Sequence, residues 1–320
     1  MIEIEGLTKR FGPVTAVAGL SLKVAKGEVL GFLGPNGAGK STAMRLVTGY
    51  LAADAGTVKI CGRDIETETI AAQAAIGYLP EGAPAYGDMT ARQFLAFIAA
   101  VRGFKGAEAK ARIAAAVEKT ELAPVLDQPV ETLSKGFRRR VGLAQAILHD
   151  PPVLIMDEPT DGLDPNQKHA VRGLIRAMAP EKAIIVSTHI LEEVEAICTR
   201  AVIIDRGAIV ADGTPAELLA RSRYHNAVTI LLTAAEADRA LGKLKALPNV
   251  TGVERKPGGE GDVQLTAFPK PGALLIEAVS GLAQREGWKP KELYAEPGRL
   301  DEVFRAITTS DAARAKAART

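Results

Sequence analysis

Gly34-Pro35-Asn36-Gly37-Ala38-Gly39-Lys40-Ser41 fits the spacing G-x-x-x-x-G-K-[ST], and phosphate chemistry explains that spacing. Glycines let the backbone wrap so that successive N–H groups point inward at a β-phosphate. A helix starting near Lys40 adds its positive N-terminal end. Lys40 is then expected to reach the β- and γ-phosphates, with the Ser41 hydroxyl on Mg2+. Such a loop needs a magnesium-positioning acid at the end of a second strand. Val153-Leu154-Ile155-Met156 is an apolar run that ends in Asp157 and Glu158. Asp157 is expected to hold Mg2+ through water, and Glu158 to face the γ-phosphate and orient or deprotonate the attacking water.

These residues need strands and helices to carry them. Ile2, Ile4 and Leu7 alternate, and Val14, Val17, Leu20, Leu22 and Val24 read as a second stretch of sheet. Glu28 to Leu33 is a short apolar run that stops at the glycine cluster, and Lys40 to Thr48 carries helix formers with Gly49 as the stop. Residues 91 to 120 have helical spacing and predict a mid-chain helical subdomain. Ser134 opens a helix to about His149, ended by Pro151-Pro152. Val153 to Met156 and Ala183 to Ser187 have the continuous apolar or β-branched character of buried parallel strands. The alternation predicts an α/β core on an open parallel sheet.

After Gly213-Thr214-Pro215 the pattern changes. Val228 to Leu232 reads as a strand, and Thr233 with Glu236 as a capping box for a helix to about Leu247. Val250 to Arg255 and Val263 to Phe268 flank a Pro-Gly-Gly turn as in a hairpin. Ala273 to Gln284 reads as helix, Trp288 to Ala295 as a fourth strand and Leu300 to Ile307 as a closing helix. The order β-α-β-β-α-β is the split ferredoxin-like motif. The last dozen residues are polar and Ala-rich and are expected to fray.

Composition narrows the function. Forty basic and 38 acidic residues leave a net charge of +2 in 320 residues, which excludes a strongly basic nucleic-acid binder. Aromatics at 4% are too few for base-stacking platforms. Two distant cysteines, Cys61 and Cys198, argue against a disulfide framework and a zinc site. No apolar run approaches the roughly 18 to 20 residues that span a bilayer, and the acidic, alternating N-terminus reads as a strand rather than a signal peptide. A soluble, cytoplasmic chain is the expectation, with any membrane part supplied by another protein.

Leu133-Ser134-Lys135-Gly136-Phe137 opens a helix about twenty residues before the acidic pair. It resembles the LSGGQ signature of ATP-binding cassette (ABC) ATPases, with Lys for the first Gly and Phe for the Gln. Together with Gly162-Leu163-Asp164 (the D-loop) and His189 after a strand (the H-loop), the ordered motifs over residues 1 to about 220 resemble that superfamily. The altered signature, Tyr78-Leu79-Pro80-Glu81 and the C-terminal extension resemble the ABC-2 exporter branch, nearest to its gliding-motility and multidrug-type ATPase subunits.

The resemblance implies a P-loop NTPase cassette over residues 1–221, with a RecA-like parallel-sheet core, an antiparallel β subdomain and a helical subdomain at about 88–150. A C-terminal α+β ferredoxin-like module follows over 222–310, and a frayed tail over 311–320. It implies an ATP hydrolase that binds Mg-ATP between two copies of the cassette and drives ABC-2 type membrane-spanning permease subunits, with no nucleic acid. The chain would sit peripherally on the inner face of the cell membrane. Nucleotide contacts fall on Gly34, Pro35, Asn36, Gly37, Ala38, Gly39, Lys40, Ser41 and Thr42, with Phe11 stacking on adenine and Asp164 in the D-loop. Ser134 and Gly136 of one copy would clamp the γ-phosphate held by the other, which suits a hydroxyl N-cap and the unpaired N–H groups behind it. Lys40, Glu158 and His189 form the implied catalytic set, with His189 keeping water and Glu158 in register. Ser41, Asp157 and Glu81 form the metal set.

Two positions depart from the family. Glu81 stands where the family has glutamine; its carboxylate suits a hard cation and predicts steep metal dependence. Phe137 replaces a polar side chain, leaving the Ser134–Gly136 clamp. The loop Glu81–Thr90, with Gly82, Pro84 and Gly87 and with Tyr86 and Met89 as anchors, is the expected contact to the membrane chain. A soluble cassette ATPase acting on ribosome or DNA is the alternative. Its ribosome-bound form carries two cassettes per chain and its repair form long coiled coils before the signature, whereas this chain has one cassette and only about ninety residues there. A GTPase would need an Asn-Lys-x-Asp motif, which is missing.

Overall fold

The computed structural model describes residues 1–82 and 86–317, with side-chain placement for all of these except Glu260 and residues 309–317. The N-terminal alternation becomes sheet: Ile2, Ile4 and Leu7 are buried along β1 (Ile2–Phe11), which pairs antiparallel with β2 (Val14–Val24). Strand β3 (Val29–Leu33) is buried at every position and runs into the glycine loop and helix α1 (Lys40–Val47). β4 (Ala55–Ile60) and β5 (Arg63–Asp64) complete a four-stranded sheet in the order β2-β1-β4-β5. Helix α2 (Thr69–Ala74) leads to β6 (Ile76–Leu79).

Three helices follow: α3 (Ala91–Val101), α4 (Gly106–Lys119) and α5 (Lys135–Ile147). Thr90 and Gln93 form a capping box on α3, and the Ser134 hydroxyl caps α5 by accepting from the Phe137 amide at 3.3 Å. Strands and helices then alternate: β7 (Val153–Asp157), α6 (Pro165–Met178), β8 (Ala183–Thr188), α7 (Leu191–Ile197), β9 (Arg200–Asp205) and β10 (Ala208–Gly213).

The central sheet runs β10-β9-β3-β8-β7-β6. Its five strands from β9 to β6 are parallel, and β10 closes one edge antiparallel to β9. Met44 and Val47 of α1 pack with Leu30, Phe32, Ile155, Ile185 and Val202 and with Ile2 and Ile4 of the first sheet in one core. This order sets the C-terminal ends of β3, β8 and β7 side by side, the edge where open α/β sheets bind ligands. Gly34, His189 and the Asp157-Glu158 pair all issue from that edge.

The chain divides into compact units after Pro215, earlier than the boundary expected at residue 221. The reason is α8 (Pro215–Leu219), whose Leu219 carbonyl lies against Gly298 of the later unit. That unit contains β11 (Val228–Thr233), α9 (Ala234–Lys245), β12 (Val250–Pro257), β13 (Asp262–Pro269), α10 (Ile276–Arg285), β14 (Glu292–Ala295) and α11 (Leu300–Ala317). Its sheet is antiparallel in the order β12-β13-β11-β14, so β13 lies between β11 and β12 as the split motif requires. Ala237, Ala240 and Leu244 of α9 and Val279 and Leu282 of α10 share a core with Ile230, Leu232 and Leu265.

Three local readings change. The Thr233 hydroxyl donates to the Glu236 carboxylate at 2.8 Å instead of accepting from the helix backbone, so the expected capping box is not made. Trp288 is buried in the core before the last strand, which begins only at Glu292. Helix α11 runs through Ala317, past the expected end at Ile307 and into the segment expected to fray. Alanine's high helix propensity accounts for the extension.

Candidate functional site

The glycine loop is built by close backbone approach. A Cβ at Gly34 would lie 2.5 Å from the Ile204 carbonyl oxygen, and one at Gly39, where φ is 101°, would lie 2.2 Å from the Ala16 carbonyl oxygen. No other residue type fits that second position. Gly207 donates to the Ala38 carbonyl at 2.9 Å, tying the loop to the turn after β9. Lys40 is buried, and its Nζ donates to the Gly34 and Pro35 carbonyls at 2.7 and 3.2 Å. Burial lowers its pKa, while the carboxylates of Glu158, Asp157 and Glu81 pull the other way. Ser41 and Thr42 follow in the first turn of α1, both half-buried, and Pro35, Asn36 and Gly37 form the outer part of the loop.

Strand β7 delivers both acids. Asp157 is 2% exposed, and its Oδ1 accepts from the Ser187 hydroxyl on the neighbouring β8. Glu158 has a left-handed backbone, φ 52°, and its amide donates to the Ser187 carbonyl at 3.1 Å. Its Oε1 lies 2.9 Å from His189 Nδ1. Burial raises the Glu158 pKa, with Asp157 adding to the rise and the His189 hydrogen bond and Lys40 opposing it. A carboxyl group so placed is tuned toward proton acceptance. The His189 ring keeps about half its surface open, so it can reach a ligand while bonded to Glu158.

Glu81 is exposed at the turn after β6 and lines a cavity of about 470 Å³ whose described walls include Lys135, Arg139, Glu158 and Asp161. Phe11 ends β1 half-exposed, with Lys9 Nζ 5.8 Å from its ring centroid. It is a free aromatic face and not a core side chain. In the loop expected to meet a membrane chain, Tyr86 is exposed and edge-on to Phe97 at 5.5 Å, whereas Met89 is half-buried; Pro84 lies outside the described residues.

A profile of the ABC transporter family matches residues 17–161. A Nod factor export ATP-binding protein I of Paraburkholderia xenovorans is 40% identical over 68% of this chain and 72% of its own length. A daunorubicin resistance ATP-binding protein of Streptomyces coeruleorubidus is 33% identical over 97% of this chain and 96% of its own. The chain belongs to the ABC transporter family of ATP-binding subunits. As a member it binds and hydrolyses ATP. A solved ATP-binding subunit of an ABC transporter, 29% identical, superposes with a TM-score of 0.64 over 68% of this chain and 91% of its own. A bacterial ABC transporter cassette solved as a dimer, 22% identical, shares the fold with a TM-score of 0.63 over 67% of this chain and 99% of its own.

The signature region of this ABC subunit joins the D-loop rather than the phosphate loop. A Cβ on buried Gly136 would lie 2.5 Å from Gln167 Oε1, and Lys135 pairs with Asp161 at 2.8 Å while its stem crosses Gly162. Asp164 caps α6 by accepting from the Gln167 amide at 2.9 Å. Among the described residues no hydrogen bond or ion pair joins Ser134, Gly136 or Asp164 to residues 34–42. The structure therefore brings Lys40, Asp157, Glu158 and His189 together and leaves Ser134, Gly136 and Asp164 as a second set.

Two residues escaped the sequence reading. Ser187 bonds both acids' strand end, and nothing in an apolar strand ending Ser-Thr marks that hydroxyl. Arg139 of α5 is buried; its Nη1 donates to the Pro80 carbonyl at 2.7 Å and its Nη2 to the carbonyls of Asp157 and of Glu158, the latter at 2.5 Å. Ser41, Asp157 and Glu81 offer only oxygen, the donor set of a hard cation. Asp157 Oδ2 makes no hydrogen bond among the described residues, and these contain no group of three or more His, Cys, Asp or Glu side chains placed to hold a metal.

Proposed function

We propose that this chain is the ATPase subunit of an ABC-2 type exporter, with two cassettes closing on Mg-ATP beneath separate membrane-spanning permease subunits. The observation that carries the reading is the Glu158–His189 pair at 2.9 Å, at the ends of the neighbouring strands β7 and β8, of which β8 pairs with β3, the strand that leads into the glycine loop. The loop amides and Lys40 bind the triphosphate, and Phe11 stacks on adenine. Glu158 takes the proton of the attacking water, and His189 orients Glu158 and touches the γ-phosphate. Ser41, Asp157 and Glu81 would hold Mg2+, which supplies charge neutralisation on the β- and γ-oxygens. Ser134, Gly136 and Asp164 serve the site of the opposite copy, a reading supported by the lack, among the described residues, of hydrogen bonds from them to residues 34–42 of their own chain.

The export role is supported by relatives named for Nod factor export and daunorubicin resistance, the latter matched along nearly the whole chain. A permease partner fits a groove of about 450 Å³ lined by Tyr50, Ile70, Tyr78, Ile98, Val101 and Arg102, with Tyr50, Ile70 and Val101 exposed. Among the described residues no helix is long and apolar enough to cross a membrane. The protein then works at the inner face of the cell membrane through that partner. The test mixes inactive Lys40→Ala with inactive Ser134→Arg chains. One working site per heterodimer should restore about a quarter of wild-type turnover in an equal mixture, from half the dimers being mixed and half their sites intact. Confirmed heterodimers with no restored activity would refute the shared site.

A further inference from the structure

Glu158 sits in a backbone conformation that its own sequence disfavours. Its φ of 52° is left-handed, and the following Pro159 biases it toward extended backbone. Such a conformation persists where surrounding structure holds it. One anchor is the amide bond to the Ser187 carbonyl at 3.1 Å. On the carbonyl side the Asp161 amide donates to the Glu158 carbonyl at 3.1 Å, and Arg139 Nη2 holds the same carbonyl at 2.5 Å together with that of Asp157. Of these anchors Arg139 alone also ties Glu158 to α5. Its Nη1 reaches the Pro80 carbonyl at 2.7 Å, just before Glu81.

Arg139 is an unusual choice for a merely structural residue. It is 6% exposed, its Nε is buried without a hydrogen-bond partner, and its bonds go to main-chain carbonyls. A buried guanidinium with no carboxylate bonded to it is costly to keep. Burial dominates and lowers its pKa, and the field of Asp157, Asp161, Glu158 and Glu81 around it opposes only part of that cost. Its neighbours differ: Arg138 is exposed, and Arg140 pairs with Glu121 at 2.7 Å. Arg138 lines the same cavity, but of the three consecutive arginines only Arg139, among the described residues, bonds the main chain of the acid pair.

We infer that Arg139 is a positioning residue, which fixes Glu158 and the Pro80 end of β6 to the helix that begins at Ser134. The general base and the signature helix of one protomer then move as one body. This deepens the reading above and rests on Glu158 as the base. The test compares full-length chains carrying Arg139→Met, which keeps the apolar stem and removes every donor, Arg139→Lys, which keeps one charged donor, and the double variant Arg139→Met/Glu158→Gln. Arg139→Met should lower kcat about tenfold or more, with Mg-ATP affinity within about threefold because the glycine loop is untouched. Arg139→Lys should recover part of the loss. In single-turnover assays the double variant should be no slower than Glu158→Gln alone, since Arg139 acts through a base already removed.

An additive loss in the double variant, or an Arg139→Met chain with wild-type kcat beside an inactive Glu158→Gln, would overturn this inference alone. Loss of folding in both single Arg139 variants would also overturn it, making the residue structural. Wild-type turnover in Glu158→Gln would instead overturn the base assignment on which it rests.

Discussion

Glu158→Gln exchanges a carboxylate oxygen for an amide nitrogen and keeps the side chain's shape. The left-handed backbone and its bonds to Ser187 and Arg139 are main-chain features that the substitution leaves in place. The contact with His189 Nδ1 at 2.9 Å can be kept by either end of the amide. What disappears is proton acceptance, which contributes about 10²–10⁴-fold, or about 3–5 kcal/mol of barrier. Stability should not fall. The folded pKa of Glu158 is raised, chiefly by burial, so its ionised form is the one the fold disfavours. Its favourable contribution is present below the unfolded value near 4.3 and is lost as pH rises through the raised folded value. At neutral pH the variant should therefore melt at or above the wild-type temperature. The assay is phosphate release at saturating Mg-ATP, with ATP affinity and melting temperature measured beside it. Turnover within a few-fold of wild type, or a loss explained by weaker ATP binding, would refute the assignment. A second reading comes from pH: wild-type kcat should fall on the acid side with a midpoint above the ordinary glutamate range, and the variant's residual rate should lack that limb.

Gly39→Ala should weaken ATP binding well beyond Gly37→Ala, because its Cβ would lie 2.2 Å from the Ala16 carbonyl oxygen while Gly37 has open space around it. The Gly37 change carries mainly the left-handed backbone cost of about 1–2 kcal/mol, so equal losses in equilibrium binding would refute the steric argument. Deleting residues 222–320 should leave ATP affinity within about threefold, because every proposed nucleotide contact lies before Pro215, while altering dimer stability or transport coupling. A folded truncation that cannot bind ATP would show that the later unit completes the nucleotide site.

Much of the site was legible because its signals are local. A glycine loop between an apolar strand and a helix, an acid pair closing a buried strand, and a serine opening a helix each draw their meaning from about ten neighbouring residues. The period of apolar residues likewise separated the α/β core from the β-α-β-β-α-β unit. Local rules failed where another bond, local or distant, won. Thr233 and Glu236 spell a capping box, yet the hydroxyl donates to the carboxylate. Pro159 argues for extended backbone at Glu158, yet Ser187 and Arg139 hold it left-handed.

By itself the sequence determined the groups available to this protein: a glycine loop over Gly34–Ser41 of phosphate-binding spacing, acids at Asp157 and Glu158, and a helix capped by Ser134. Only the tertiary structure decided that β3, β8 and β7 lie side by side and so place His189 beside Glu158. Only it selected Arg139 from three successive arginines to reach the main chain of the acid pair. The physical reason is range. Strand and helix periods and caps act within a few residues, whereas strand order and a buried guanidinium's partners depend on which distant segments the packed core brings together.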